Sequence, residues 1–227
     1  MHQLIDKRKL YFYLILLFIL ISVHNLNLVN TYNKTFDLKK IELISDLEDN
    51  INKKILDSFN QYYNLNIFSL KALEFQNILD NFNIISEYKI KKNYPSDIRI
   101  ELKQTSILAY YYDNNQITYI GANGKKIKDN LIIEKKLPLI VGEVDINKFL
   151  DLKNKLIKYE FNLNEFEKFF SFNSKRWDLL YKNKVLVKLP IEDLDSSIIL
   201  FKNIIKLSDS KNIKIIDLRI KNKIIIS

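Results

Sequence analysis

The segment Leu10–Val23, LYFYLILLFILISV, contains no charged residue, and the uncharged, mostly apolar trend continues through His24 and Asn25 to Val29. A helix crosses a bilayer with roughly 20 such residues, so residues 10–29 are expected to form a single transmembrane helix. A cleaved secretory signal is the competing reading, but its processing site requires small residues near the cut. Between Ile21 and His24 the only small residue is Ser22, and the first alanine is Ala72, which favours an uncleaved anchor. Lys7, Arg8 and Lys9 stand directly before the apolar run, whereas no cation follows it until Lys34. The positive-inside bias therefore leaves residues 1–9 as a cytoplasmic tail of a single-pass type II protein, with nearly the whole chain across the membrane.

The remainder is long and apolar enough to fold, since 47% of the 227 residues are hydrophobic. With no cysteine, disulfides, thiolate nucleophiles and the common structural zinc sites are all excluded. The net charge of +9 is spread along the chain among Asn, Ile and Asp, so no nucleic-acid partner is expected.

Beyond a polar linker at 30–35, hydrophobic periodicity sets the order of elements. FDLKKIELI reads as a strand, and Ser45 with Glu48 has the spacing of a capping box. Leu47, Ile51, Ile55 and Phe59 then form one helical stripe ending near Tyr62–Asn64, and a second helix, with Ser69 as its N-cap, carries Leu70, Leu73, Leu79 and Phe82 toward a core. Alternation at Tyr88 and Ile90 resumes at Ile98, Ile100 and Leu102 across the Tyr94-Pro95-Ser96-Asp97 turn, where the proline's missing N–H costs no ladder bond. Residues 36–110 thus read β-α-α-β-β, a small sheet with two helices on one face.

Residues 111–227 read as a strand-rich β domain with two helices, giving an α+β chain overall. Asn123-Gly124 favours a two-residue hairpin, because both residues tolerate positive φ. Ile146, Phe149, Leu152 and Leu156 mark one helix, and Leu194, Ile198, Phe201 and Ile205 another. Trp177, Leu179 and Tyr181 face one way on a strand answered by Val185, Val187 and Leu189.

No nucleophile with a base, metal cluster or paired carboxylates is legible, so neither enzymatic activity, a cofactor nor a small-molecule substrate is expected. Asp217 beside Arg219 reads as an ion pair and Trp177 as a core aromatic. The unusual feature is the C-terminal run Ile224-Ile225-Ile226, flanked by Lys221 and Lys223. Such an edge either pairs within its own sheet or receives a partner's strand.

In this order LNIFSL, KKNYPSDIRIEL, YIGANGKKI, LPLIVG, RWDLLYKNKVLVKLP and IKIIDLRIKNKIII, over residues 36–227, resemble the FtsQ/DivIB family of bacterial cell-division proteins. The resemblance implies a POTRA (polypeptide-transport-associated) domain at 36–110 followed by the family's β domain, and a non-enzymatic divisome assembly scaffold in the inner membrane at the septum, with the bulk of the chain periplasmic. It implies as partners two other single-span division proteins of the FtsB and FtsL type. By the same resemblance, the partner-binding residues after the Asp217-Leu218-Arg219 motif are Arg219, Ile220, Lys223, Ile224 and Ile226, joined by Trp177 and by Lys175 or Arg176 just ahead of it. POTRA modules also guide outer-membrane assembly and secretion, which stands as the alternative function.

Overall fold

A computed structural model describes residues 7–25, 34–128, 136–207, 213–220 and 223–227. The N-terminal helix α1 spans Lys7–Asn25, and every side chain from Leu10 to Ile21 is exposed. Among the described residues no helix is long and apolar enough to cross a membrane. The end of the expected span, residues 26–29, lies outside the described residues.

The chain divides into two compact units, Met1–Lys103 and Gln104–Ser227. After α1, the first unit runs β1 (Lys40–Ile44), α2 (Asp49–Asp57), α3 (Ala72–Asp80), β2 (Ile85–Asn93) and β3 (Asp97–Gln104). Its sheet has the order β1-β3-β2, with β1 parallel to β3 and Ile41 opposite Ile98. Alternation works as the period of a strand requires: Ile98, Ile100 and Leu102 are buried, while Arg99 reaches across to Glu42 at 3.1 Å on the other face. The helices contribute Ile51, Ile55, Phe75 and Leu79, and Phe59 stacks on Phe75 at 5.0 Å. Each of these side chains contributes about 1.5–3 kcal/mol by leaving water.

Three local expectations fail here. Ser45 and Glu48 form no capping box, because Ser45 Oγ donates to Asn52 Oδ1 (2.5 Å) and accepts from the Leu47 amide (3.3 Å), and α2 starts only at Asp49. Ser69 does not cap α3; it donates to the Asn66 carbonyl at 2.7 Å, and Lys71 occupies the N-cap. Leu73 is exposed, since a helix that buries Phe75 and Leu79 turns the residue two places earlier outward. The Tyr94–Pro95 peptide between β2 and β3 is cis.

The second unit comprises β4 (Ile107–Asp113), β5 (Gln116–Gly121), β6 (Lys126–Ile127), β7 (Leu139–Gly142), α4 (Ile146–Lys158), β8 (Phe166–Ser171), β9 (Trp177–Tyr181), β10 (Val185–Lys188), α5 (Leu194–Leu207), β11 (Ile215–Asp217) and β12 (Ile225–Ile226). One nine-stranded sheet joins them in the order β12-β11-β10-β9-β8-β7-β4-β5-β6. The parallel pairs β7/β8 and β10/β11 require crossovers, which α4 and α5 supply. Phe149 packs edge-on against Phe169 and near Trp177, and Phe201 stacks on Phe161 at 4.8 Å, so both helices close over one face of the sheet. A bulge between Phe166 and Lys168 lets Phe166 and Phe169, three residues apart, both point into this core.

A hairpin does form at Asn123-Gly124, between β5 and β6, but the two-residue turn lies elsewhere. Asn114 (φ 49°) and Asn115 (φ 63°) form the two-residue turn between β4 and β5, where Asp113 faces Gln116. Asn123-Gly124 sits in the longer loop of the β5–β6 hairpin, closed by Gly124 N–H to Gly121 C=O (3.0 Å) and Gly121 N–H to Lys125 C=O (3.1 Å), and of the two only Gly124 has positive φ.

Candidate functional site

The predicted partner residues gather at one end of the large sheet, where β12 is the edge strand. Its inner flank is fully used. Ile215 and Ser227 exchange two hydrogen bonds (2.9 and 3.1 Å), so by the antiparallel alternation Asp217 and Ile225 form the next bonded pair, and Ile216 lies opposite Ile226 without bonds. The parallel neighbour agrees, because the Lys214 carbonyl and the Leu218 amide turn toward β10 and leave Ile215 and Asp217 for β12. The amides and carbonyls of Ile224 and Ile226 therefore point away from the sheet, toward a flank that carries no strand among the described residues. The side chains of Ile224, Ile225 and Ile226 are each 43–50% exposed.

Beside this edge lies a groove of about 550 Å³. Arg176, Arg219, Ile220 and Lys223 line it on the sheet side, and Ile191 and Leu200 line it on the side of α5. Arg176 is held from two directions: its Nε donates to Asp178 (3.2 Å), and its guanidinium lies 4.2 Å from the centre of the Phe172 ring. Arg219 donates through Nε and Nη2 to both carboxylate oxygens of Asp217 (2.6–3.0 Å), a fork that fixes the guanidinium plane. Lys223 N–H closes a turn onto the Ile220 carbonyl at 3.1 Å, which starts the chain back along β11.

Electrostatics couple these groups. Asp178, Lys188 and Asp217 lie directly opposite one another across β9, β10 and β11. Burial pushes the Asp178 carboxyl up, opposed chiefly by Arg176 and then by Lys188 and Arg219. Hydrogen bonding from Arg219 holds Asp217 below the usual carboxylate range. Two acids, one rising and one falling, thus anchor the two arginines whose outer edges face the groove. The site combines two anchored arginines and apolar side chains with an open main-chain edge.

Lys175 stands in the β8–β9 turn with φ 66° and is exposed. Trp177 differs from the other predicted partner residues: only 3% exposed, it packs against Phe149 and Phe169 and offers a partner no face. Tyr94 and Pro95 form the β2–β3 turn of the first unit.

A family model for the C-terminal part of the cell-division protein FtsQ/DivIB matches residues 109–219. The cell-division protein FtsQ of Rickettsia bellii (strain RML369-C) is 30% identical over 199 residues, covering 86% of this chain and 74% of the relative. That of Rickettsia conorii (strain ATCC VR-613 / Malish 7) is 28% identical with the same coverage. The chain belongs to the FtsQ/DivIB family of cell-division proteins.

For this FtsQ-family chain the matched segment contains Arg176, Trp177 and Arg219 and stops before Ile220–Ile226. The exposed edge therefore rests on geometry rather than on that match. Sequence periodicity also missed the far wall of the groove. Leu200 falls off the inward stripe of Leu194, Ile198, Phe201 and Ile205, and an apolar residue left over on a helix face was the signal available, whereas Ile191 lies before the helix.

Proposed function

We propose that this FtsQ-family protein is a non-catalytic assembly scaffold of the divisome, anchored in the inner membrane by residues 10–29 with its two folded units in the periplasm. It recruits other single-span division proteins, of the FtsB and FtsL type, by strand addition to β12. The observation that carries this reading is the outward row of main-chain groups at Ile224 and Ile226, which meet no strand among the described residues, next to a groove with Arg176, Arg219 and Lys223. An added strand completes the ladder, its apolar side chains cover Ile224 and Ile226, and an acidic residue on it meets the arginine edges. The β-α-α-β-β unit is the POTRA-like module of this scaffold.

Co-purification from cells that express the full chain tests the proposal. Ile224→Asp and Ile226→Asp place charges on exposed positions, so the fold survives while capture of the two single-span proteins is lost. Capture at the level of the unsubstituted chain would overturn strand addition. Depletion should give filaments without septa; normal septation would overturn the assignment to the divisome.

A further inference from the structure

The first unit carries an aromatic cluster that its core does not use. Phe68 stacks on Tyr94 (ring centres 5.0 Å apart, 19° between planes) and meets Phe36 at 5.1 Å. Phe68 is 60% exposed and Tyr94 57% exposed, so the pair offers its faces to the outside. The backbone holds these rings in place. Asp37 bridges Asn66, the Ile67 amide donates to the Phe36 carbonyl at 2.8 Å, and the Phe68 amide donates to Asn66 Oδ1 at 2.9 Å.

Cations surround the cluster. Lys92 Nζ donates to the Ile67 and Leu70 carbonyls, both at 2.7 Å, beside Phe68. The Lys39 amide donates to the Ser96 carbonyl at 2.8 Å, next to the Tyr94–Pro95 turn, and its side chain is exposed. Lys34 and Lys71 are exposed two residues before Phe36 and three after Phe68. Asp37 and Asp97 are the neighbouring acids.

We propose that Phe36, Phe68 and Tyr94 form a platform by which the first unit rests on the outer, periplasmic surface of the anionic bilayer that holds the anchor. The inference rests on the anchored reading above and goes beyond it. From position 29, where that reading ends the span, to Phe36 the chain reaches at most about 25 Å. A module of this size has a radius of gyration of about 11 Å, so the tether is no longer than the module is wide. Phe36 is both the place where the chain joins the module and a member of the cluster, so the aromatic face is the one drawn toward the lipid. Aromatic rings with a polar rim favour the headgroup region, and lysines next to them gain from anionic lipid within a Debye length. The bilayer is therefore the surface whose chemistry this face fits.

The chain's lack of cysteine allows a clean test on the full-length protein in phosphatidylethanolamine/phosphatidylglycerol vesicles. Ser69→Cys places a fluorophore beside the platform, and Glu87→Cys places one about 23 Å away along the β2–β3 hairpin. Flotation with the vesicles reads the anchor, and quenching by headgroup-nitroxide lipid reads the platform. The expected result is co-flotation of both, with quenching severalfold stronger at position 69. Phe68→Ser combined with Tyr94→Ser, both at exposed positions, should bring position 69 down to the level of position 87 without changing flotation. Co-flotation with equal quenching at 69 and 87 would overturn the platform and leave the anchor standing. Absence of flotation would overturn both, and strong quenching that survives the double substitution would remove the aromatic rings from the explanation.

Discussion

Two adjacent proline substitutions separate the inner from the outer flank of β12. The Ile225 amide faces β11 as part of the bonded pair with Asp217, so Ile225→Pro removes one ladder bond and leaves the Asp217 carbonyl unpaired. The net loss is about 1–2 kcal/mol. Because β12 is held by only a few residue pairs, that loss goes into local opening, and 1.4 kcal/mol corresponds to about tenfold in the open population. The Ile226 amide faces outward, so Ile226→Pro removes no internal bond and costs less than about 1 kcal/mol. Hydrogen exchange at the Ile215 amide reads the difference, since that amide is bonded to the Ser227 carbonyl at 2.9 Å and belongs to an unsubstituted strand. Ile225→Pro should speed its exchange by about tenfold, and Ile226→Pro should leave it within about threefold while still abolishing partner capture. Equal acceleration by both prolines would refute the alternation from which the outward groups were derived.

Other consequences follow from single contacts. Gly142 has φ +103°, and a Cβ there would lie 2.1 Å from the Ser171 carbonyl oxygen on the paired strand, so Gly142→Ala should cost at least about 2 kcal/mol in urea unfolding followed by the fluorescence of Trp177. Arg176→Ala leaves the buried Asp178 carboxylate without its main counter-charge, costing about 1–3 kcal/mol at neutral pH. Burial has already raised the folded pKa of Asp178, so this deficit should shrink as the pH falls, and Asp178→Asn added to Arg176→Ala should recover most of it. Asp195 accepts from Lys155 (2.5 Å), Tyr159 (2.7 Å) and Lys158 (3.0 Å), which together hold its carboxyl far below the usual range. A depressed folded pKa stabilises above the unfolded value near 4 and is lost as the pH falls through it toward the folded one. The urea midpoint of Asp195→Asn should therefore change less than that of the unsubstituted chain between about pH 5 and 2.

The parts of this architecture that local pattern determines were legible in the sequence. Ile98, Ile100 and Leu102 alternate, Phe149, Leu152 and Leu156 recur at helical spacing, and all six are buried where the pattern puts them. Capping and turn chemistry were less so, because a serine or asparagine has several competing backbone partners within reach. Ser45 chose the Leu47 amide and the Asn52 side chain over a capping box, and the two-residue turn went to Asn114-Asn115, while the hairpin at Asn123-Gly124 closes through a longer loop. Strand order was beyond local pattern altogether. Neither the parallel approach of β4 to β7 nor the single sheet from β12 to β6 leaves a periodic trace. The groove shared this fate, since Arg176 and Arg219 come together only because β10 lies between their strands.

The most direct measurement is the amide protection of Ile224 and Ile226, resolved by isotope labelling, in the full chain alone and with a single-span division partner. The account predicts that both amides exchange freely in the chain alone while Ile225 and Ser227 are protected, and that both become protected in the complex. Protection at Ile224 and Ile226 before the partner is added, or its absence in a formed complex, would contradict strand addition at β12.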